Sequence, residues 1–243
     1  MAELSRSAVI LGARNLGGAI IELLLERGWS VAGVARSDDT LAKVESSGAL
    51  AIRADASEPV ELVRALREAR ERHQGLDLVV NAVTASRPPR EGPFGGGPLA
   101  EANLDAFRGW TVAVAEQAFV FLSESIKAIR AAGGGGTLVQ VTGGSSRRAM
   151  PEKGLWAAGA FAVRALVQAA AQELRAEGIH VALLIVDATI ESPKTDAWTR
   201  DVPRNALADM GEIARAVEYL AGQNARALTH ELQVTPAGDR WVP

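Results

Sequence analysis

The stretch Leu11-Gly12-Ala13-Arg14-Asn15-Leu16-Gly17-Gly18 decides how this chain is read. It follows a short apolar run, Ala8 to Leu11, and opens a segment with helical periodicity, Leu16 to Arg27. Glycines between a strand and a helix permit a tight turn, and the helix N-terminus then offers free backbone N–H groups to a pyrophosphate. A glycine-rich string alone carries little weight; its place after the first strand and before a helix is what strengthens it. The competing reading is a structural turn that holds no ligand.

Outward from that turn, strand-like and helix-like segments alternate along the chain. Trp29 to Ala35 reads as a second strand, Asp39 to Ser47 as a short amphipathic helix, and Ala49 to Arg53 as a third strand. Glu58 to His73 keeps its charges on one helical face, and Leu76 to Val83 is a largely apolar run, as in a parallel strand covered on both faces. Pro88 to Pro98 is rich in glycine and proline and reads as an exposed loop. Leu104 to Ala131 is a long, apolar helix, broken by Gly133 to Gly136 before a fifth strand, Thr137 to Thr142. A second long apolar helix, Leu155 to Glu177, leads into strand His180 to Val186. The irregular segment Asp187 to Leu207, helix Gly211 to Gly222 and strand Glu231 to Thr235 complete the order.

Strict βα alternation predicts an α/β fold: a Rossmann-type, doubly wound, seven-stranded parallel sheet with helices on both faces. No repeat, linker or second core interrupts it, so residues 1–243 are expected to form a single dinucleotide-binding domain. Two helices apolar nearly all round need burial beyond the sheet, which predicts a homo-oligomer, dimer or tetramer.

With 48% hydrophobic residues the chain has enough apolar material for a sizeable core, while a net charge of −3 leaves no electrostatic footprint for nucleic acid or an anionic membrane. Aromatics at 5% are too few for single-strand stacking platforms. The absence of cysteine excludes disulfides, thiolate catalysis and cysteine metal sites. His73, His180 and His230 are scattered rather than at ligand spacing, so no metal is expected. No signal-like segment precedes the first strand, and no apolar run reaches the roughly 18–20 residues of a membrane span. The expectation is a soluble cytoplasmic protein.

Together these pieces resemble the short-chain dehydrogenase/reductase family over nearly the whole chain. Where that family carries Gly-x-x-x-Gly-x-Gly, Gly12 and Gly18 match the first and third glycines; Leu16 replaces the second, with Gly17 placed to take over part of its role. The resemblance implies cofactor contacts at Gly12, Arg14, Asn15, Leu16, Gly17 and Gly18. It aligns Asp55-Ala56 with the family's adenine-reading aspartate and Asn81-Ala82-Val83-Thr84 with its Asn-Asn-Ala-Gly, keeping the asparagine that ties the sheet and borders the cofactor. At the end of the second strand, Ala35 stands where a carboxylate would hold the ribose of NAD(H). Arg36, backed by Ser37 and Arg14, instead offers cations and a hydroxyl to a 2′-phosphate. Asp38 and Asp39 fall a few residues late and weigh against this. NADP(H) is expected, with NAD(H) as the alternative.

The chemical end departs further. In the family a serine holds the substrate oxygen, a tyrosine moves the proton, a lysine lowers the tyrosine pKa, and an asparagine assists. Alignment from the fifth strand puts Gly143, Trp156 and Ala160 at the first three positions and Val114 at the fourth. An indole N–H donates but does not titrate usefully, and alanine and valine offer no proton path. A positioned acid–base group contributes roughly 10²–10⁴ in rate, so ordinary carbonyl reduction should be crippled. Asp187, at the carboxyl end of a central strand, is one substitute acid–base candidate, set against a turn aspartate. Ser145 and Ser146 are others, set against loop capping; Lys153 reads as a solvated turn residue. The pieces Ile179-His180-Val181-Ala182, Val186-Asp187, Thr229-His230-Glu231-Leu232 and Pro236 resemble a divergent branch that often lacks the tyrosine.

Three functions remain open. One is an NADP(H)-dependent oxidoreductase of atypical mechanism acting on a small apolar carbonyl or alkene, with Asp187 to Leu207, including Trp198 and Arg200, as its lid. The second is a non-catalytic NADP(H)-binding sensor or partner subunit. The third is a non-redox enzyme that reuses the cleft.

Overall fold

The apolar runs read as buried strands are covered on both faces: every residue of β1 (Ser7–Leu11), β4 (Leu78–Asn81) and β6 (Ile179–Val186) is buried. Such strands have no polar face to give to water, so helices must pack on each side. The computed structural model describes residues 5–83 and 92–239. In it β2 (Ser30–Ala35), β3 (Leu50–Arg53), β5 (Gly136–Gly143) and β7 (Glu231–Val234) complete a seven-stranded sheet in the order β3-β2-β1-β4-β5-β6-β7. All pairings are parallel. This is the expected doubly wound α/β arrangement.

One core lies between the sheet and α1 (Leu16–Glu26), α2 (Asp38–Ser46) and α8 (Met210–Ala221). The opposite core is formed by α3 (Pro59–His73), α5 (Ala113–Ala131) and α6 (Gly154–Leu174). Two short helices, α4 (Leu104–Phe107) and α7 (Asp196–Thr199), sit in connections. Strand order reverses between β1 and β4, which opens a crevice at their carboxyl ends, where the glycine turn lies.

Several boundaries differ from the sequence reading. The segment Leu104 to Ala131 is not one α-helix: a π-turn at Arg108–Val112 separates α4 from α5. The fourth strand stops at Asn81 rather than Val83, because the Asn81 side chain turns back to accept from the Val83 N–H. The segment after β6 contains α7 and a 3₁₀ turn at Arg204–Ala206, tied at its base by an Ile190–Ala208 bridge. Residues 88–91 of the expected loop and Thr84 lie outside the described residues.

Contrary to the sequence reading, the helix over Gly154–Glu177 is long and apolar enough to cross a membrane, but 44% of that window is buried in the protein, against β6 and α5. His180 and His230, far apart in sequence, meet edge to face at 5.7 Å. Each donates to a main-chain carbonyl, His180 Nε2 to Thr229 and His230 Nδ1 to Val181.

Candidate functional site

At the nucleotide end, the chain leaves β1 through Gly12 at φ +83°, a conformation that favours glycine. A Cβ there would sit 3.0–3.1 Å from the main chain of Ala82 and Val83, so the turn is pressed against the end of β4. The Ala82 N–H closes that contact by donating to the Leu11 carbonyl. Asn15 caps the turn at φ 51°, and Gly17 N–H folds back to the Arg14 carbonyl. Among the described residues, the N–H groups of Arg14, Asn15 and Leu16 donate to no backbone carbonyl. Unpaired N–H groups at the start of a helix after a glycine turn are the kind that hold phosphates.

The structure redistributes the glycine roles. A Cβ on Gly17 would overlap the Gly12 carbonyl oxygen, whereas a Cβ on Gly18 would meet Ala13 O at an ordinary 3.5 Å. Gly17 is therefore the glycine that lets α1 start tight against the turn. Leu16, expected beside the phosphates, buries its side chain in the core under α1.

Arg36 and Ser37 follow the end of β2 at the rim of the crevice. Arg36 reaches Asp55 at 3.2 Å with most of its side chain exposed, and Ser37 donates to Thr40 Oγ1 at 2.8 Å. The Asp55 carboxyl is held below the usual carboxylate range: burial pushes it up, but bonds from the Ser57 hydroxyl and N–H and the Arg36 charge outweigh that. Ala56 is buried behind it. Sequence reasoning missed Arg53. The β2–β3 register sets Ala35 opposite Arg53, whose guanidinium donates to the Arg36 carbonyl at 2.7 Å and pairs with Asp38. Exposed Arg36 and Arg53 thus meet at the carboxyl edge, with Asp38 engaged by Arg53, and Arg14 is exposed on the glycine turn.

Asn81 has the sheet-tying role expected of it. It is fully buried, donates through Nδ2 to Gln140 Oε1 at 2.8 Å, and accepts from Gln117 Nε2 at 3.2 Å. Gln140 in turn donates to the Val141 carbonyl, so a buried polar chain joins β4, β5 and α5. Each amide satisfies the next, which is the condition for tolerating polar groups in a core.

At the chemical end, the four aligned positions lie on β5, α5 and α6. A Cβ on Gly143 would lie 3.8 Å from Trp156 Cζ2, so the indole lies over the end of β5. Ala160 is buried one turn further along α6. Val114 packs near Gly159, where a Cβ would come within 3.1 Å of it and 2.6 Å of Trp110 O. An indole thus stands where the resemblance places a phenol, and the buried methyl of Ala160 where it places an amine.

Asp187 sits at the end of β6 as expected, but both its oxygens are engaged. Arg148 clamps it through two bonds of 2.6 and 2.8 Å, and Gln233 donates to it at 3.0 Å. The carboxylate also fills the space where a Cβ on Gly144 would stand. Held in this two-point ion pair, the carboxylate ties the β5–β6 corner together. Hydrogen bonding to Asp187 raises the Arg148 pKa above its ordinary value, against burial. Ser146 donates to the Gly143 carbonyl, a loop-capping bond, while Ser145 is buried and its hydroxyl has no hydrogen-bond partner among the described residues. Lys153 is half-buried over Phe94 rather than a solvated turn residue.

The family model described as enoyl-(acyl carrier protein) reductase matches residues 11–238. The chain belongs to the short-chain dehydrogenase/reductase family. Solved structures with the same fold include an actinorhodin polyketide ketoreductase with NADPH, at 23% identity and a TM-score of 0.78, covering 99% of this chain and 100% of that one. An alcohol dehydrogenase from the archaeon Thermococcus sibiricus, complexed with 5-hydroxy-NADP, has 22% identity and a TM-score of 0.76 over 98% and 100%. Acetoin dehydrogenase from Enterobacter cloacae has 23% identity and a TM-score of 0.76 over the full length of both chains.

Proposed function

We propose that this chain, as one domain, is an NADP(H)-binding oxidoreductase-like protein of atypical mechanism or impaired activity. The observation that carries the reading is the contrast between the two ends of one crevice. The nucleotide end keeps the close Gly12–Ala82 contact, N–H groups with no backbone acceptor, and the paired arginines Arg36 and Arg53 at the end of β2. The chemical end has Trp156 over Gly143 and no ionisable side chain at Ala160 or Val114. The bound cofactor would supply the hydride; Gly12, Asn15 and Gly17 would seat its pyrophosphate, Arg36 and Arg53 its 2′-phosphate, and Asn81 would hold the floor beneath it. NADP(H) complexes of the Thermococcus and actinorhodin enzymes support this cofactor choice.

Proton transfer then falls to water or to the substrate itself, so simple ketones should be turned over barely above background with NADPH. Reduction at rates ordinary for the family would overturn the impaired-relay reading. A non-catalytic NADP(H) sensor is the second reading, favoured by the same missing relay; hydride transfer to any acceptor separates the two. The exposed Phe119 on α5 and Phe161 on α6 support assembly as a homo-oligomer. Sedimentation of a Phe119→Asp, Phe161→Asp double variant as a smaller species than wild type would support that interface.

A further inference from the structure

A cavity of about 590 Å³ opens where β1, β4, β5 and β6 begin, at the opposite end of the sheet from the glycine turn. That volume is within the range of small-molecule sites. Two cations line it without a counter-charge. Arg6 is fixed in place: its Nη2 donates to the Ala221 carbonyl at 2.6 Å, and its guanidinium lies 4.0 Å over the Trp29 ring. A stacked guanidinium keeps its remaining N–H groups in a set plane. Arg175, just past the end of α6, is exposed. Neither arginine pairs with a carboxylate among the described residues.

The rest of the lining leaves the balance positive. Asp77, its one carboxylate among the described residues, is already engaged. Ser7 gives the Asp77 Oδ2 both its N–H, at 2.7 Å, and its hydroxyl, at 2.9 Å. Burial holds the His180 pKa below its ordinary value, so the imidazole adds no charge near neutral pH. Gln223 already exchanges two bonds with Thr229. Thr137 is different. It is 6% exposed, and its hydroxyl has no hydrogen-bond partner among the described residues. Thr137 pairs with His180 across β5 and β6, which puts both side chains on the face that lines the cavity. A hydroxyl so shielded gains when a ligand oxygen accepts from it.

The three free donors come from three places: before β1, within β5 and after α6. One guanidinium fork satisfies a planar carboxylate, whereas a tetrahedral phosphate accepts from several directions at once. We propose that this cavity binds a phosphate monoester, its phosphate held by Arg6, Arg175 and Thr137 and its small carbon skeleton against Ala221 and Leu228. The site is separate from the nucleotide crevice at the carboxyl ends of the strands, and it stands whether or not that crevice takes NADP(H).

Calorimetric titration at constant ionic strength tests it, with phenyl phosphate, inorganic phosphate and benzoate as probes, each with and without saturating NADPH. Both phosphates should bind, and benzoate should bind at least about tenfold more weakly than phenyl phosphate. Arg175→Gln, at an exposed and unpaired position, should weaken phenyl phosphate at least about tenfold. Thr137→Val, which keeps the side-chain shape, should weaken it about fivefold. NADPH should leave the phosphate affinity unchanged. Displacement by NADPH, or binding indifferent to both substitutions, would put the anion elsewhere and overturn the proposal. Benzoate binding as tight as phenyl phosphate, or no binding of either phosphate, would overturn it too. Phosphate binding without NADPH binding supports it and sinks the cofactor reading alone.

Discussion

Replacing Asp187 by alanine asks whether this carboxylate holds the fold or is free for chemistry. Its side chain is 8% exposed and receives two bonds from Arg148 and one from Gln233. Removing one partner of a buried ion pair costs about 3–5 kcal/mol, because the other charge is left uncompensated. Arg148 is 26% exposed and can recover part of its hydration, which brings the expected loss to about 2–3 kcal/mol. The space over Gly144 that the carboxylate fills would also be left open. For a chain of this size, 1 kcal/mol moves the melting temperature by about 2–4 °C, so Asp187→Ala should melt roughly 5–10 °C below wild type. Asp187→Asn, which keeps an acceptor for Gln233, should fall between the two. Urea unfolding with an unchanged slope would assign the loss to stability. An alanine variant within about 0.5 kcal/mol of wild type, the range of ordinary surface substitutions, would refute the anchor argument and return Asp187 to the catalytic candidates.

Gly17→Ala would drive a methyl into the Gly12 carbonyl, so it should both lower the melting temperature and abolish the stabilisation given by NADPH, read in one thermal-shift experiment. Gly18→Ala, with ordinary space at that position, should retain most of it. Ala160→Lys should fail to restore catalysis and should destabilise the protein in chemical denaturation, because it places an ammonium at a site only 2% exposed. Burial and the neighbouring His230 depress the His180 pKa despite its carbonyl bonds, and burial with Arg72 depresses that of His73. A depressed pKa means that the unfolded chain takes up the proton first. Stability is then full above about pH 6.5 and is lost as pH falls through the folded-state values. Melting curves between pH 7.5 and 5 should show this decline, and His180→Gln should flatten it.

The layer architecture was legible because it rests on local patterns. The glycine turn between Leu11 and Leu16, the aliphatic runs of β1, β4 and β6, and strict alternation fix a parallel sheet without any knowledge of contacts. The π-turn was not legible, since Arg108–Val112 keeps helical periodicity and its extra residue follows from packing of Trp110 and Thr111 on α6. Arg53 was visible only as the last residue of a strand; its place beside Arg36 needs the β2–β3 register. Asp187 is legible as the residue that ends β6, but its ion pair with Arg148, in an irregular turn thirty-nine positions away, is not. Likewise, Phe94 belongs to a glycine-rich loop whose sequence says nothing of the two indoles it meets. Which glycine is indispensable was also a question of tertiary contact, decided by the Gly12 carbonyl under Gly17.

The claim on which the account depends is that this crevice takes a 2′-phosphorylated dinucleotide. Its most direct test is calorimetric titration of the wild-type protein with NADPH and NADH in the same buffer. NADPH should bind at least about tenfold more tightly, the worth of one charge-assisted contact to the extra phosphate. Equal affinities, or no heat from either nucleotide, would contradict it.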